Sequence, residues 1–316
     1  MSPFCGRILC AIYLIVFGIF PITDIALSAT APTVVNLPAI TAEIKAPMRL
    51  ATDAPGNIYV ADFNAGGVLK YDSTGTFVKK YLTPKAPTGV AIDQNGDLLV
   101  SQGTYVVVIG QPAGNEKARF GTFKYADGIA VDAVGNIYVT DALDDCVQKF
   151  DLLHNPVTVP TASAGHPVNS FGTYGTLTGQ FKRPTGISYE KASGLLAVVD
   201  FGNGRIQYFD TVGTYNSVLG SYGTINGKFV YPQGISFEYD NGGALYRIYV
   251  SDTYRNNVQV FNGTDRVWLA NIGGYGFDAG KLFTPRDLLF DQYNSLNKRL
   301  FVVNGSGNIA IFGCSN

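Results

Sequence analysis

Six side chains recur once per repeat, each closing an apolar run: Asp62, Gln102, Asp141, Asp200, Asp252 and Asn304. Six oxygen donors of this kind would suit a hard cation such as Ca²⁺. Their regularity favours a structural task instead. A residue present in every repeat serves each repeat, here by accepting backbone hydrogen bonds in the turn that follows. Positions that break the pattern say more about function. Where four repeats carry Gly89, Gly128, Gly186 and Gly234, the first carries Arg49 and the last Asp287. Arg49, Arg286 and Asp287, with Asp127 and Gln233, are the candidate contacts for a polar ligand or peptide. The competing reading is an ion pair that fastens the first repeat to the last. His154 and His166 fall in an irregular stretch and are expected to be solvent-exposed loop residues, not metal ligands. There is no Gly-x-Ser-x-Gly elbow and no phosphate loop, and no cofactor is expected. Asn262-Gly263-Thr264 and Asn304-Gly305-Ser306 fit the glycosylation sequon.

The elements that position these residues follow from composition and repetition. Of 316 residues, 23 are Lys or Arg and 24 Asp or Glu, a net charge of −1. That balance argues against a protein that binds nucleic acid by neutralising phosphates. Charged residues make up 15% and hydrophobic residues 46%, so a large core can form and disorder is excluded. The chain has 37 Gly, 19 Tyr and 20 Phe but a single Trp, a turn-rich and aromatic-rich mixture that favours β-structure. Residues 1–28 read as a signal peptide: Arg7, a 13-residue apolar run from Ile8 to Phe20, then Ala26-Leu27-Ser28 before a cleavage point. An uncleaved anchor is the alternative. The mature chain is expected to be secreted or periplasmic, without a membrane span, and monomeric. Cys5 and Cys10 leave with the leader, and Cys146 and Cys314, in different repeats, are not expected to pair.

Residues 29–316 then form one domain. Units begin near Pro47, Pro87, Ala126, Pro184, Pro232 and Pro285. Each holds short β-branched and aromatic runs separated by turns such as Asp53-Ala54-Pro55-Gly56-Asn57 and Asp210-Thr211-Val212-Gly213. Four antiparallel strands per unit predict a blade, and six blades predict an all-β, six-bladed β-propeller. Leu152–Ser170 interrupts the period as a long excursion, and Asp240–Gly243 and Asn294–Asn297 lengthen two hairpins. The last unit stops one strand short, and Pro32–Ile40 is an unassigned extended segment with edge-type prolines. It is expected to close the ring as the missing outer strand.

The strings Gly179-Gln180-Phe181-Lys182-Arg183-Pro184-Thr185-Gly186-Ile187 and Gly227-Lys228-Phe229-Val230-Tyr231-Pro232-Gln233-Gly234-Ile235 resemble the NHL-repeat six-bladed β-propellers. A weaker copy is Gly280-Lys281-Leu282-Phe283-Thr284-Pro285, and the resemblance spans about residues 45–313. It implies the fold and leaves the function open. Some relatives in that group are peptide-amidating lyases with histidines around a metal, but here no histidine falls on a blade position. The reading adopted is a binding or scaffold module for a protein, peptide or glycan, engaged through the mouth of the central channel and not primarily an enzyme. The alternative is a Ca²⁺-dependent hydrolase or lyase of the lactonase-like type, which needs acidic or amide side chains on the innermost strands. Those strands are mostly apolar: Ile129-Ala130-Val131, Ile187-Ser188-Tyr189, Ile235-Ser236-Phe237. RNA binding, found among some NHL propellers, is opposed by the leader and the charge balance.

Overall fold

The computed structural model describes residues 29–291 and 298–315. The predicted signal peptide and the Asn294–Asn297 insertion lie outside those residues. Among the described residues there is no α-helix, and no helix is long and apolar enough to cross a membrane.

Strand β1 (Thr33–Ile40) precedes the first blade. Blade 1 is β2 (Pro47–Thr52), β3 (Ile58–Asp62), β4 (Gly67–Tyr71) and β5 (Phe77–Leu82). Blade 2 is β6 (Gly89–Ile92), β7 (Leu98–Ser101), β8 (Val106–Ile109) and β9 (Glu116–Phe120). Blade 3 is β10 (Ala126–Val131), β11 (Ile137–Asp141), β12 (Cys146–Phe150) and the two-residue β13 (Ser170–Phe171). Blade 4 is β14 (Pro184–Glu190), β15 (Leu195–Asp200), β16 (Arg205–Phe209) and β17 (Tyr215–Leu219). Blade 5 is β18 (Pro232–Tyr239), β19 (Leu245–Asp252), β20 (Asn257–Asn262) and β21 (Trp268–Gly273). Blade 6 is β22 (Asp287–Asp291), β23 (Arg299–Asn304) and β24 (Asn308–Ser315), completed by β1 in the order β1-β24-β23-β22. The N-terminal strand therefore closes the ring, paired antiparallel from Thr33↔Ser315 to Ile40↔Ile309.

The local turns explain the register. At Asp53–Asn57 the Asp53 carboxylate accepts the Asn57 N–H at 2.8 Å, and Gly56 takes the positive φ of 84° that closes the hairpin. The same arrangement recurs at Asp132–Asn136 and Asp210–Thr214. Apolar wedges fill the gaps between blades, such as Ile206, Tyr208, Phe229, Ile235 and Ile248 between blades 4 and 5. Near the axis the innermost strands crowd together. A Cβ at Gly89 or Gly186 would overlap the carbonyl oxygens of Asp127 and Gln233 on the following blades. The glycine of each Pro-x-Gly segment is thus a packing requirement where strands converge.

The insertion in blade 3 corrects one expectation. His154 and His166 are half-buried, not exposed. The segment folds back along its own blade because Val159 has an apolar seat there and Asn169 pairs with the Lys149 backbone. His154 stacks on Phe120, centroids 4.8 Å apart at 15°.

Candidate functional site

The first strand of each blade starts, and the second ends, at one end of the ring: Pro47 faces Asp62, Ala126 faces Asp141, Pro184 faces Asp200 and Pro232 faces Asp252. The loops from second to third strand, and from each fourth strand to the next blade, open onto the same face. This is the channel mouth.

The six recurrent oxygen donors act as backbone clamps. Asp62 accepts the N–H groups of Lys45 (2.7 Å), Ala46 (2.9 Å) and Ala65 (2.8 Å). Asp141 takes those of Lys124 and Tyr125, Asp200 that of Lys182, Asp252 those of Val230 and Tyr231, Asn304 that of Phe283, and Gln102 that of Lys85. The main partners are therefore in the segment entering the first strand, and the following turn comes second. With their lone pairs committed, these side chains are not a cation cage. Replacing Asp62 by Ala is expected to cost about 2 kcal/mol, because three N–H donors lose a charged acceptor. Urea denaturation with and without Ca²⁺ checks this: a cost that appears only when Ca²⁺ is present would restore the cage.

Of the five residues singled out by pattern, Arg49 bonds Asp127, Gln233 and Asp287, and Arg286 stands beside them on the cavity wall. Arg49 takes the place of the glycine in blade 1, is only 6% exposed, and reaches across the axis. Its Nη2 lies 3.0 Å from Asp127 Oδ1 on blade 3, and its Nη1 lies 3.3 Å from Asp287 Oδ1 on blade 6. The same Nη1 donates to the Gln233 carbonyl of blade 5 at 2.9 Å. Asp287 also accepts the Leu50 N–H at 2.9 Å, so the seam between first and last blades is fastened as well. Burial opposes the Arg49 charge, but Asp127 and Asp287 outweigh it and raise its pKa. Burial pushes the Asp287 carboxyl above the ordinary carboxylate value despite Arg49.

Arg49 separates two cavities. The inner one, about 410 Å³, is walled by the apolar first strands, with Ala51, Ala91, Ala130, Ile187 and Leu289 in its lining. The outer one, about 380 Å³, opens at the mouth and is lined by Met48, Arg49, Tyr125, Asp127, Arg183, Thr185, Gln233, Thr253, Thr284 and Arg286. Among the described residues, two of its guanidiniums have no carboxylate partner. Arg286 touches the Met48 sulfur, and Arg183 lies over the Phe201 ring at 5.3 Å. Burial and Asp127 raise the Tyr125 phenol, with burial the larger cause. Arg183 and Thr284, each just before a blade-opening proline, hold positive φ values of 57° and 45°. Asp145 and Asn256 side chains bond their N–H groups and hold these strained conformations in place.

Arg183 was missed by pattern, although a signal existed. The residue before each anchor is Ala46, Ala86, Tyr125, Arg183, Tyr231 or Thr284, and only one of these is charged. Around the same face stand exposed apolar side chains from three successive entry loops: Tyr174 and Leu177, Tyr222 and Ile225, Tyr275 and Phe277.

The carboxylates bordering the two cavities are Asp127 and Asp287, and Arg49 holds both. A metal between them would have to displace a guanidinium, so these residues do not fit an axial cation.

No protein-family model matches the sequence, and no curated protein does. Solved structures do share the fold. An auxiliary nutrient binding protein from Bacteroides thetaiotaomicron is similar with a TM-score of 0.67 at 8% identity, over 86% of this chain and 70% of that one. Virginiamycin B lyase from Staphylococcus aureus gives 0.61 at 12%, over 90% and 99%. A gluconolactonase from Xanthomonas campestris gives 0.64 at 15%, over 91% and 95%. At such identities the likeness is one of fold.

Proposed function

We propose that this chain is an exported, divergent NHL-type propeller that binds an extended, carboxylate-bearing ligand across its mouth. The observation that carries the reading is the pair of carboxylate-free guanidiniums, Arg183 and Arg286, on the wall of the outer cavity. Two forked cations, Arg286 half-buried and Arg183 exposed at the rim, suit a bidentate acid group. The exposed Tyr and Phe side chains on the neighbouring loops would carry the ligand's body, as apolar faces at a binding surface do. The nutrient-binding neighbour agrees with a non-catalytic role. The lyase and lactonase neighbours do not move the reading, because the channel carboxylates are already paired to Arg49.

Calorimetric titration tests the proposal, with uronic-acid oligosaccharides in one arm and short peptides with free C-termini in the other. At least one arm should bind, weaken with added salt, and lose about 10- to 100-fold in affinity in Arg183→Ala or Arg286→Ala. Equal binding of neutral sugars or amidated peptides, or no loss in either variant, would sink it.

A further inference from the structure

On the outer part of blade 3, away from the channel, three donor atoms of different kinds lie close together. They are an Asp144 carboxylate oxygen in the turn between β11 and β12, the Cys146 Sγ at the start of β12, and a ring nitrogen of His166 from the insertion. All three lie within 4.8 Å of one another. Asp144 Oδ2 is 3.3 Å from His166 Nδ1 and 3.9 Å from Cys146 Sγ. In a tetrahedral site with bonds of about 2.0–2.3 Å, ligand atoms lie roughly 3.3–3.7 Å apart, so the trio needs only a small contraction.

A second observation points the same way. His166 Nδ1 is shielded from solvent and forms no hydrogen bond, even with the carboxylate beside it. A buried ring nitrogen that lies 3.3 Å from a carboxylate without a hydrogen bond to it, and next to a thiol, calls for a partner shared by all three. Cys146 is fully buried. The other Asp144 oxygen pairs with Lys124, which orients the carboxylate and leaves Oδ2 turned to the cluster.

We propose that Asp144, Cys146 and His166 bind a divalent transition cation of the zinc class, with water in the fourth position. Sulfur and imidazole donors select such an ion over Ca²⁺ or Mg²⁺. The thiol proton leaves to solvent as the metal–sulfur bond forms. The site has a use in the fold. Blade 3 keeps only two residues of its outer strand, and the metal would pin the long segment 152–169 to the blade it replaces.

The test is a Co²⁺ titration of the chelator-treated full chain, read by absorption. The parent protein should develop a sulfur-to-cobalt charge-transfer band, and Zn²⁺ should abolish it. Cys146→Ser should lack the band. His166→Ala should lose at least about tenfold in affinity, whereas His154→Ala should match the parent. Proteolysis within 152–169 should slow at least about tenfold when Zn²⁺ is present. No band in the parent, or a band that survives in Cys146→Ser, overturns the proposal. The parent titration and the proteolysis decide the matter even if a variant folds poorly.

Discussion

A chain shortened to begin at Ala46 is expected to melt about 10 °C below one beginning at Ala29, and to aggregate more readily. For a chain of this size that shift corresponds to about 6 kcal/mol. The loss arises at two places. Along the ladder, β1 is the partner of β24 from Thr33↔Ser315 to Ile40↔Ile309. Without it, Phe312, Cys314 and Ile309, all buried, face water beside a bare strand edge. About 150 Å² of newly wetted apolar surface accounts for about 4 kcal/mol. The second place lies upstream of the strand. The Thr30 carbonyl accepts the Arg247 Nε–H at 2.8 Å, and Arg247 in turn pairs with the fully buried Glu238, 3.0 Å away. The terminus thus also caps a buried ion pair in blade 5, next to the closing blade. A chain beginning at Pro32 should keep the strand, lose the cap, and melt between the other two. Differential scanning fluorimetry of the three chains at one concentration checks the order. Equal midpoints for the chains beginning at Ala29 and Ala46 would refute the closure role of β1.

Much of this was legible in the residues. The blades announce themselves because Asp-to-Gly turns recur along the chain and five of the six units open on a proline, three of them as Pro-x-Gly. The closing strand could be read because Pro32–Ile40 had no place in any unit. Arg49 and Asp287 stood out because a charge replaced a glycine that crowding otherwise demands. What could not be read was reach. Nothing in the spacing of Arg49 and Asp127, two blades apart, says that one side chain spans the axis to the other. That contact depends on the channel's width, which the convergence of six inner strands sets. The clamps were half legible: a carboxylate or amide oxygen at the end of each second strand accepts backbone donors, but the donors lie chiefly in the segment before the blade, which sequence proximity hides. The insertion was opaque for a different reason. Only Ser170–Phe171 forms a regular strand beside β12, with isolated contacts such as Phe150↔Pro156 elsewhere, so no strand pattern reveals that the segment returns to the mouth side and delivers His166 to Cys146.

Replacing Arg49 by Met should have the largest effect of any single substitution at the mouth. Met keeps most of the unbranched apolar stem but ends short of the guanidinium, so the main loss is the cation and its hydrogen bonds to Asp127, Asp287 and the Gln233 carbonyl. Asp127 and Asp287 would be left facing a narrow channel with no cation, and breaking a buried pair in this way costs about 3–5 kcal/mol. The pH dependence distinguishes this cause from simple mispacking. Asp287 already has its pKa raised in the folded protein, with burial the largest cause and Arg49 the main opposing one. Without Arg49 the folded value rises further above the unfolded one. A carboxyl shifted upward leaves stability intact below its unfolded pKa, and stability falls as pH climbs through the folded value. The variant should therefore regain part of its lost stability between pH 7 and pH 5, where the parent changes less. Adding Asp127→Asn and Asp287→Asn to the variant should recover most of the loss at pH 7 and flatten the profile. Urea denaturation of parent, single and triple variants at the two pH values gives the comparison. A single variant as stable as the parent at pH 7, or one that weakens further on acidification, would show that Arg49 is not the cation that lets two carboxylates share this channel.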